Sequence, residues 1–434
     1  MSTSSQPDCV LLSVNAHLVQ RRNATTTSNT TRNHDKIEVS LCPEQPLLPS
    51  NLYVHCPDLT LTVRPRVIRA VQDIFLLRVD IDCRPESDSS PDDADYFVYR
   101  AGNQRSPWLS RLERPHPFFH DDDIGLLSRD ANYTIAVLIA TGTPIYDLHI
   151  FHSENPANWI YRTVLVTEPQ RMVPMEVEPA PWAGSIYLWY GILLCDVLRD
   201  EPTLRGVPLP VPLNMVSGNN GMGAELGCPH PFWGIAFIKG GSGNPDDCLK
   251  LVHLEATLTL VRGKNYDGEW SSSYNVHDWA VVTYTNTAMT SSFQDWRMDC
   301  RIQASDIIID DKIKSELLQS GLLGPGLGQT LQNLVVSHPT PDISAAAHEG
   351  VVYLIARKKY RHPQAWVLAV DTRNKTLVGA AEFGTERQPY GSFMYFASDI
   401  AKYIKPDTTG DKRRMLLKIK TKHVRSSLIP ERSV

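Results

Sequence analysis

A chain of 434 residues, 42% hydrophobic and 21% charged, can bury a sizeable core, and its composition excludes a disordered or collagen-like polymer. The formal charge of −5 is unevenly spread: Lys412, Arg413, Arg414, Lys418, Lys420, Lys422, Arg425 and Arg432 against Asp411 and Glu431 make residues 411–434 about +6, leaving the rest near −11. A net-acidic body argues against binding a nucleic-acid backbone over a broad surface, which needs Lys and Arg gathered on one face.

The N-terminal stretch "MSTSSQPDCVLLSVNAHLVQRR" lacks a charged start followed by a long apolar core, so no signal peptide is expected. The eight cysteines, at 9, 42, 56, 83, 195, 228, 248 and 300, form no C-x-x-C pair and no zinc-finger spacing. Reduced thiols in the cytoplasm or nucleus are the expectation, and the sequons at Asn23, Asn29, Asn132 and Asn374 then carry no weight. No apolar run approaches the roughly 18 residues of a membrane helix.

Proline (31) and glycine (25) punctuate short runs rich in Val, Ile, Leu, Tyr and Trp, which is the pattern of strands separated by turns. From Asp95, "DYFVYRAGNQRSPWLSRL" predicts strand, polar turn, strand. In "RPHPFFHDDDIG", residues His116, His120, Asp121, Asp122 and Asp123 sit close enough to hold a divalent ion. The preferred reading is plainer: Pro115 and Pro117 fit a loop entering a strand at "IGLLSR", with the acids on a solvated turn, so no metal site is assigned. "TIAVLIATG" from Thr134 has the length of a buried strand, and "LHIFHSENPANWIYRTVLV" from Leu148 repeats the strand-turn-strand design.

The segment Gly184 to Pro210, "GSIYLWYGILLCDVLRDEPTLRGVPLP", reads as three strands with turns at Tyr190-Gly191 and at "RDEPT". In "ILLCDVL" Ile192, Leu194 and Leu198 lie on one alternating face and Leu193, Cys195 and Val197 on the other, as in a strand covered on both sides. Cys195 is therefore read as a small buried hydrophobe and Asp196 as an acceptor of turn backbone hydrogen bonds rather than a catalytic acid.

"SGNNGMG" from Ser217, "GGSGNP" from Gly240 and "GLLGPGLGQ" from Gly321 lack the Lys-Ser/Thr ending of a phosphate loop and read as turns or linkers. Helices are predicted at "DDKIKSELLQSGLL" from Asp310 and at "SFMYFASDIAKYI" ending at Ile404. Between them "WVLAVDTRNKTLVGAAEFG" from Trp366 is another strand-turn-strand unit. The fold class that results is all-β dominated, a β-propeller-like arrangement with one or two short helices. Trp108 and Trp159 lie 51 residues apart, but no blade signature recurs at that interval, and the number of blades stays open. Residues 1–406 are taken as one body and 407–434 as a basic tail expected to be disordered.

Several strings resemble a plant family common in grasses, the domain of unknown function 1618. They are "LWYGILLCDVLRDEPTLRGVPLP" from Leu188, "DIFLLRV" with "DYFVYRAG", "NLVVSHPTPDIS" from Asn333, and "VVYLIARKKYRHPQAWVLAVDTRNKTLVGAAEFG" from Val351. The resemblance runs from about residue 10 to 405, with a family core of about 184–310. Tyr187 and Tyr190 stand where the family's usual wording has Asp and Arg. The resemblance implies no established activity and no catalytic residues. "ILLCDVLRDEPTLRGVPLP" is also similar, more weakly, to F-box-associated propellers, although residues 1–50 contain no F-box-like helical segment.

There is no G-x-S-x-G elbow, H-E-x-x-H pair or Walker loop in the chain. The leading expectation is a non-enzymatic protein-interaction module with a protein partner, no cofactor, no metal and no catalytic residues. The alternatives are an enzyme whose site is assembled from propeller loops, and binding of RNA or an acidic partner through the basic tail. Nine tryptophans and sixteen tyrosines are read mainly as strand packing.

Overall fold

The computed structural model describes residues 9–81, 94–102, 106–113, 119, 121–129, 131–142, 145–156, 158–166, 191–210, 232–238, 240, 247–264, 270–324, 330–344, 350–359, 362, 364–384 and 395–404. Tyr187, Tyr190, His116, His120, the "SGNNGMG" stretch and the basic tail lie outside them.

The strands form sheets in chain order. The first comprises β1 (Val10–Ser13), β2 (Thr27–Thr30), β3 (Lys36–Cys42) and β4 (Pro49–His55), and the second β5 (Arg66–Val71), β6 (Ile74–Asp80), β7 (Ala94–Arg100) and β8 (Trp108–Leu112). The third holds β9 (Ile124–Arg129), β10 (Asn132–Gly142), β11 (Ile145–His152) and β12 (Trp159–Leu165). A two-stranded hairpin follows, β13 (Gly191–Cys195) with β14 (Leu204–Pro208). The fourth sheet is β15 (Trp233–Ile238), β16 (Cys248–Lys264), β17 (Trp270–Asn286) and β18 (Trp296–Gln303). In the fifth, β20 (Val335–Pro341), β21 (Val351–Arg357), β22 (Ala365–Asp371) and β23 (Thr376–Gly384) are edged by the short β19 (Ile308–Ile309).

The five larger sheets are the blades of a β-propeller. Its ring is closed by β24 (Tyr395–Ser398), which pairs antiparallel with β1 from Val10↔Ser398 to Ser13↔Tyr395 and so becomes the inner strand of the first blade. Inner strands of successive blades meet: β24 touches β5, β5 touches β9, β15 touches β20, and β20 touches β24. Between the third and fourth blades the hairpin takes over. Ile192 and Leu194 pack with the core of the fourth blade, while Leu193, Cys195 and Val197 pack with that of the third. The strand is covered on both sides, but it is shorter than expected: it ends at Cys195, and Leu198, placed by alternation on a covered face, lies exposed in the turn.

The predicted strand-turn-strand units from Asp95, Leu148 and Trp366 are β7–β8, β11–β12 and β22–β23, and "IGLLSR" is β9. The helix predicted from Asp310 forms as α1 (Asp311–Gln319), capped by the Asp310 carboxylate, which accepts from Lys312 N–H at 2.9 Å. The second predicted helix is a correction. Tyr395–Ser398 is strand, and only Ile400–Tyr403 turns, as a 3₁₀ segment. The first blade needs an inner strand, and pairing with β1 outweighs the local helical period.

Tryptophans mark the blade repeat. Trp108, Trp159 and Trp296 each open the fourth strand of a blade, opposite the last residue of the third strand that pairs with it: Arg100, Phe151 and Asn286. Two of them also reach backward around the ring. Trp159 Nε1 donates to Glu113 O at 2.9 Å, and Trp296 Nε1 donates to Pro208 O at 2.6 Å. Trp279 and Trp366 are fully buried, as strand packing requires. Where β15 crosses β20 the two backbones touch: a Cβ on Gly234 would stand 1.7 Å from Pro339 O, so no larger residue fits there.

Candidate functional site

The strongest concentration of buried charge lies between the second and third blades, in the region of the predicted acidic cluster. Asp121 opens a 3₁₀ turn, Asp121–Asp123, that leads into β9. Its Oδ2 accepts from Arg66 at 2.8 Å and Arg78 at 3.2 Å, and its Oδ1 accepts from Tyr96 Oη at 2.8 Å. Arg78 also donates to Asp80 from Nη2 at 2.7 Å, and both side chains are almost wholly buried. Burial opposes the Arg78 charge, but Asp121, Tyr96 and Asp80 outweigh it and hold the guanidinium above its ordinary pKa. Three donors on one carboxylate make Asp121 a tie between blades, with its acceptor oxygens engaged. Among the described residues no group of three or more His, Cys, Asp or Glu gathers to hold a metal.

A second knot ties the same blades. Arg100 Nε lies 3.1 Å from Asp73 Oδ2, Ser128 Oγ donates to Asp73 Oδ1 at 2.8 Å, and the Arg100 guanidinium stands 5.6 Å above the Trp108 ring. Both knots read as architecture, since each polar group is held by a neighbour and serves the joint.

The residues of the hairpin behave as their sequence suggests. Asp196 Oδ1 accepts from the Leu198 N–H at 3.3 Å, and Oδ2 accepts from Arg199 Nε at 2.9 Å, so it organises the turn. Burial, helped by Asp196, pushes the Cys195 thiol up to about 11, far from a reactive thiolate. Cys195 is half-buried rather than sealed.

Sequence reasoning missed a large feature of the fourth blade. β16 and β17 pair from Leu249↔Asn286 to Lys264↔Trp270. Among the described residues β15 pairs β16 only as far as His253, with the Leu254 N–H donating to Phe232 O at 2.8 Å just beyond, and β18 pairs β17 only as far as Ala280. From Ala256↔Trp279 to Lys264↔Trp270 the two strands therefore run on as a ribbon without a further paired strand among the described residues, about 30 Å long at the usual rise per residue. At its base, Val276 is buried and Leu258 half-buried against the core. Thr257, Thr259, Asn275 and His277 are exposed. Trp279 Nε1 donates to Leu331 O at 2.7 Å, and Asn333 Nδ2 donates to Val276 O at 3.3 Å, anchoring the root. The long alternation in "LKLVHLEATLTLVRGK" was the available sign: strands inside a blade are typically much shorter.

The class these features define is a β-propeller with a ribbon raised from one blade. Residues 186–353 match the family model described as "Protein of unknown function (DUF1618)", and this part of the chain is similar to that family. The matched segment spans the hairpin, the fourth blade with its ribbon, and the start of the fifth. No curated protein matches the chain. A solved structure, that of a subtype N11 neuraminidase-like protein from a flat-faced bat isolate from Peru, aligns over 89% of this chain and 98% of its own. It shares 8% identity at a TM-score of 0.23, too low for any inference about fold or activity. No helix among the described residues is long and apolar enough to cross a membrane.

Proposed function

We propose that the protein is a non-enzymatic protein-interaction module that engages its partner through the ribbon of the fourth blade. The observation that carries this reading is the run of β16 and β17 beyond both flanking strands, which leaves two strand edges unpaired among the described residues. An isolated two-stranded ribbon is marginal in water, and its unpaired N–H and C=O groups template another strand. A rigid propeller supplies the platform that holds such a ribbon in place.

The test shortens the ribbon, replacing Leu260–Tyr274 by Asn-Gly so that Thr259 and Asn275 flank a two-residue turn. Intact and shortened chains are compared for capture of a stoichiometric protein partner, with thermal melting as the control for folding. The reading expects equal melting and loss of the partner from the shortened chain. A partner retained on the shortened chain, or turnover of a small molecule by a chain that captures no protein, would overturn it.

A further inference from the structure

The two edges of the ribbon differ at its root. On β17 the backbone groups that point away from β16 are capped from within the chain: the Trp279 N–H donates to Asp278 Oδ1 at 2.8 Å, and the Val276 carbonyl accepts from Asn333 Nδ2 at 3.3 Å. Asn333 closes a 3₁₀ turn, Leu331–Asn333, that packs along β17 and whose Leu331 carbonyl also accepts the Trp279 indole N–H. A strand arriving at this edge has to displace those contacts.

β16 carries no such guard. The Leu254 N–H, bonded to Phe232 O at 2.8 Å, marks the last step of its pairing with β15. The bulge beyond that point lies in β17, where His277 has no opposite residue between Thr257↔Asp278 and Leu258↔Val276, so alternation along β16 is unbroken. Every second residue of an antiparallel strand faces the same edge, and Ala256, Leu258, Leu260 and Arg262 therefore present their N–H and C=O groups to the side that β15 has left. Among the described residues no hydrogen bond reaches the open side of Ala256 or Leu258. The root is also held in shape, since Thr259 Oγ1 and His277 Nε2 stand 2.7 Å apart across the pair. The two faces beside this edge differ in kind: Ala256 and Leu258 are half-buried against the core, whereas Thr257 and Thr259 are exposed.

We propose that the edge of β16 from Ala256 to Arg262 is the docking site, and that an extended segment of a partner protein pairs antiparallel with it as the continuation of β15. Alternation then sets apolar partner residues beside Ala256 and Leu258 and polar ones beside Thr257 and Thr259. Main-chain bonds supply the affinity, and the apolar-polar alternation selects the segment. This rests on the reading of the ribbon as the partner-binding element and narrows it to one edge and one pattern of partner sequence.

The test titrates the full chain into a fluorescein-labelled peptide of alternating Val and Thr with a Lys at each end, reading anisotropy, and locates the contact by amide hydrogen exchange. Residues directly opposite share a face and exchange hydrogen bonds, so the peptide's Val N–H groups point at β16 and its Thr N–H groups point away. The expected result is saturable binding with slowed exchange over residues 256–262. N-methylation of the Val residues should weaken the dissociation constant about tenfold or more, while N-methylation of the Thr residues changes it little. Ala256→Pro, which removes one outward N–H, should weaken it in the same direction, with melting temperature as the control for folding. Four results would overturn the proposal: no binding of the unmethylated peptide, equal binding of the two methylated peptides, slowed exchange over residues 270–275 in place of β16, or a dimer of the chain that the peptide dissociates, which would make the occupant a second copy. Each can arise while the shortened ribbon still loses its partner, and that separates failure of this assignment from failure of the ribbon reading.

Discussion

Acid should loosen this propeller through His253 well before its carboxylates are protonated. The imidazole, 1% exposed on β16, lies edge-on against Trp233 with ring centroids 5.7 Å apart. Burial pulls its pKa from 6.5 down to about 4, against a small opposing pull from Glu255. The unfolded chain therefore takes up a proton near pH 6.5 that the folded chain refuses until about pH 4, so stability rises with pH across that window and is lost as pH falls through it. Each step of one pH within that window removes about 1.4 kcal/mol, so the loss is about 1.4 kcal/mol by pH 5.5 and about 3 kcal/mol by pH 4. Urea unfolding of wild type and His253→Gln at pH 7.5, 6.5 and 5.5 isolates the effect, because a fixed packing penalty in the variant cancels when the pH trends are compared. The stability gap should narrow by about 1.4 kcal/mol between pH 7.5 and 5.5. Parallel curves would show that His253 already carries its proton in the fold, or has water access, and would refute the reasoning.

Three further outcomes can be checked. Gly234→Ala drives a methyl into Pro339 O and should cost at least about 2 kcal/mol in urea unfolding, whereas Gly206→Ala, with open space around its Cβ, should cost well under half of that. Asp121→Asn leaves the almost fully buried Arg78 with Asp80 alone and should lower stability by about 3 kcal/mol, a loss that added calcium or magnesium does not alter. A metal-dependent melting shift that is present in the wild type and absent from the variant would contradict the role given to Asp121. Iodoacetamide should label Cys195 slowly at pH 7.5 and much faster towards pH 11, followed by mass spectrometry; full labelling within minutes at neutral pH would contradict the raised thiol pKa.

Strand periodicity is a local property, and the local properties were readable. "DYFVYR", "IGLLSR" and "ILLC" carry their strand identity in their own alternation or apolar runs, although the reading of "ILLCDVL" as strand runs three residues too far, into the turn at Asp196–Leu198. "SFMYFASDIAKYI" misled because its helical spacing is equally local, while the partner that makes Tyr395–Ser398 a strand lies at Val10–Ser13, at the far end of the sequence. The blade repeat hid for a related reason. Trp108, Trp159 and Trp296 hold equivalent places, but the hairpin and the lengthened β16–β17 pair intervene before the third, so the even spacing breaks. The knot around Asp121 could not be found by motif, since Arg66 and Arg78 reach it from 55 and 43 residues away. The acidic run did mark the place, and the arginines that decide its role came only with the fold.

The pairing of β24 with β1 also sets an order in time. A ribosome delivers Val10–Ser13 before every other strand described, yet their antiparallel neighbour emerges only when residue 398 has been made. Throughout synthesis the nascent first sheet carries an open flank, a standing invitation to wrong partners, and the ring can lock only by closing a loop of nearly the whole chain. The ring should therefore close only after Tyr395–Ser398 have been made, and truncations ending before Tyr395 should be aggregation-prone in cells however intact their remaining blades.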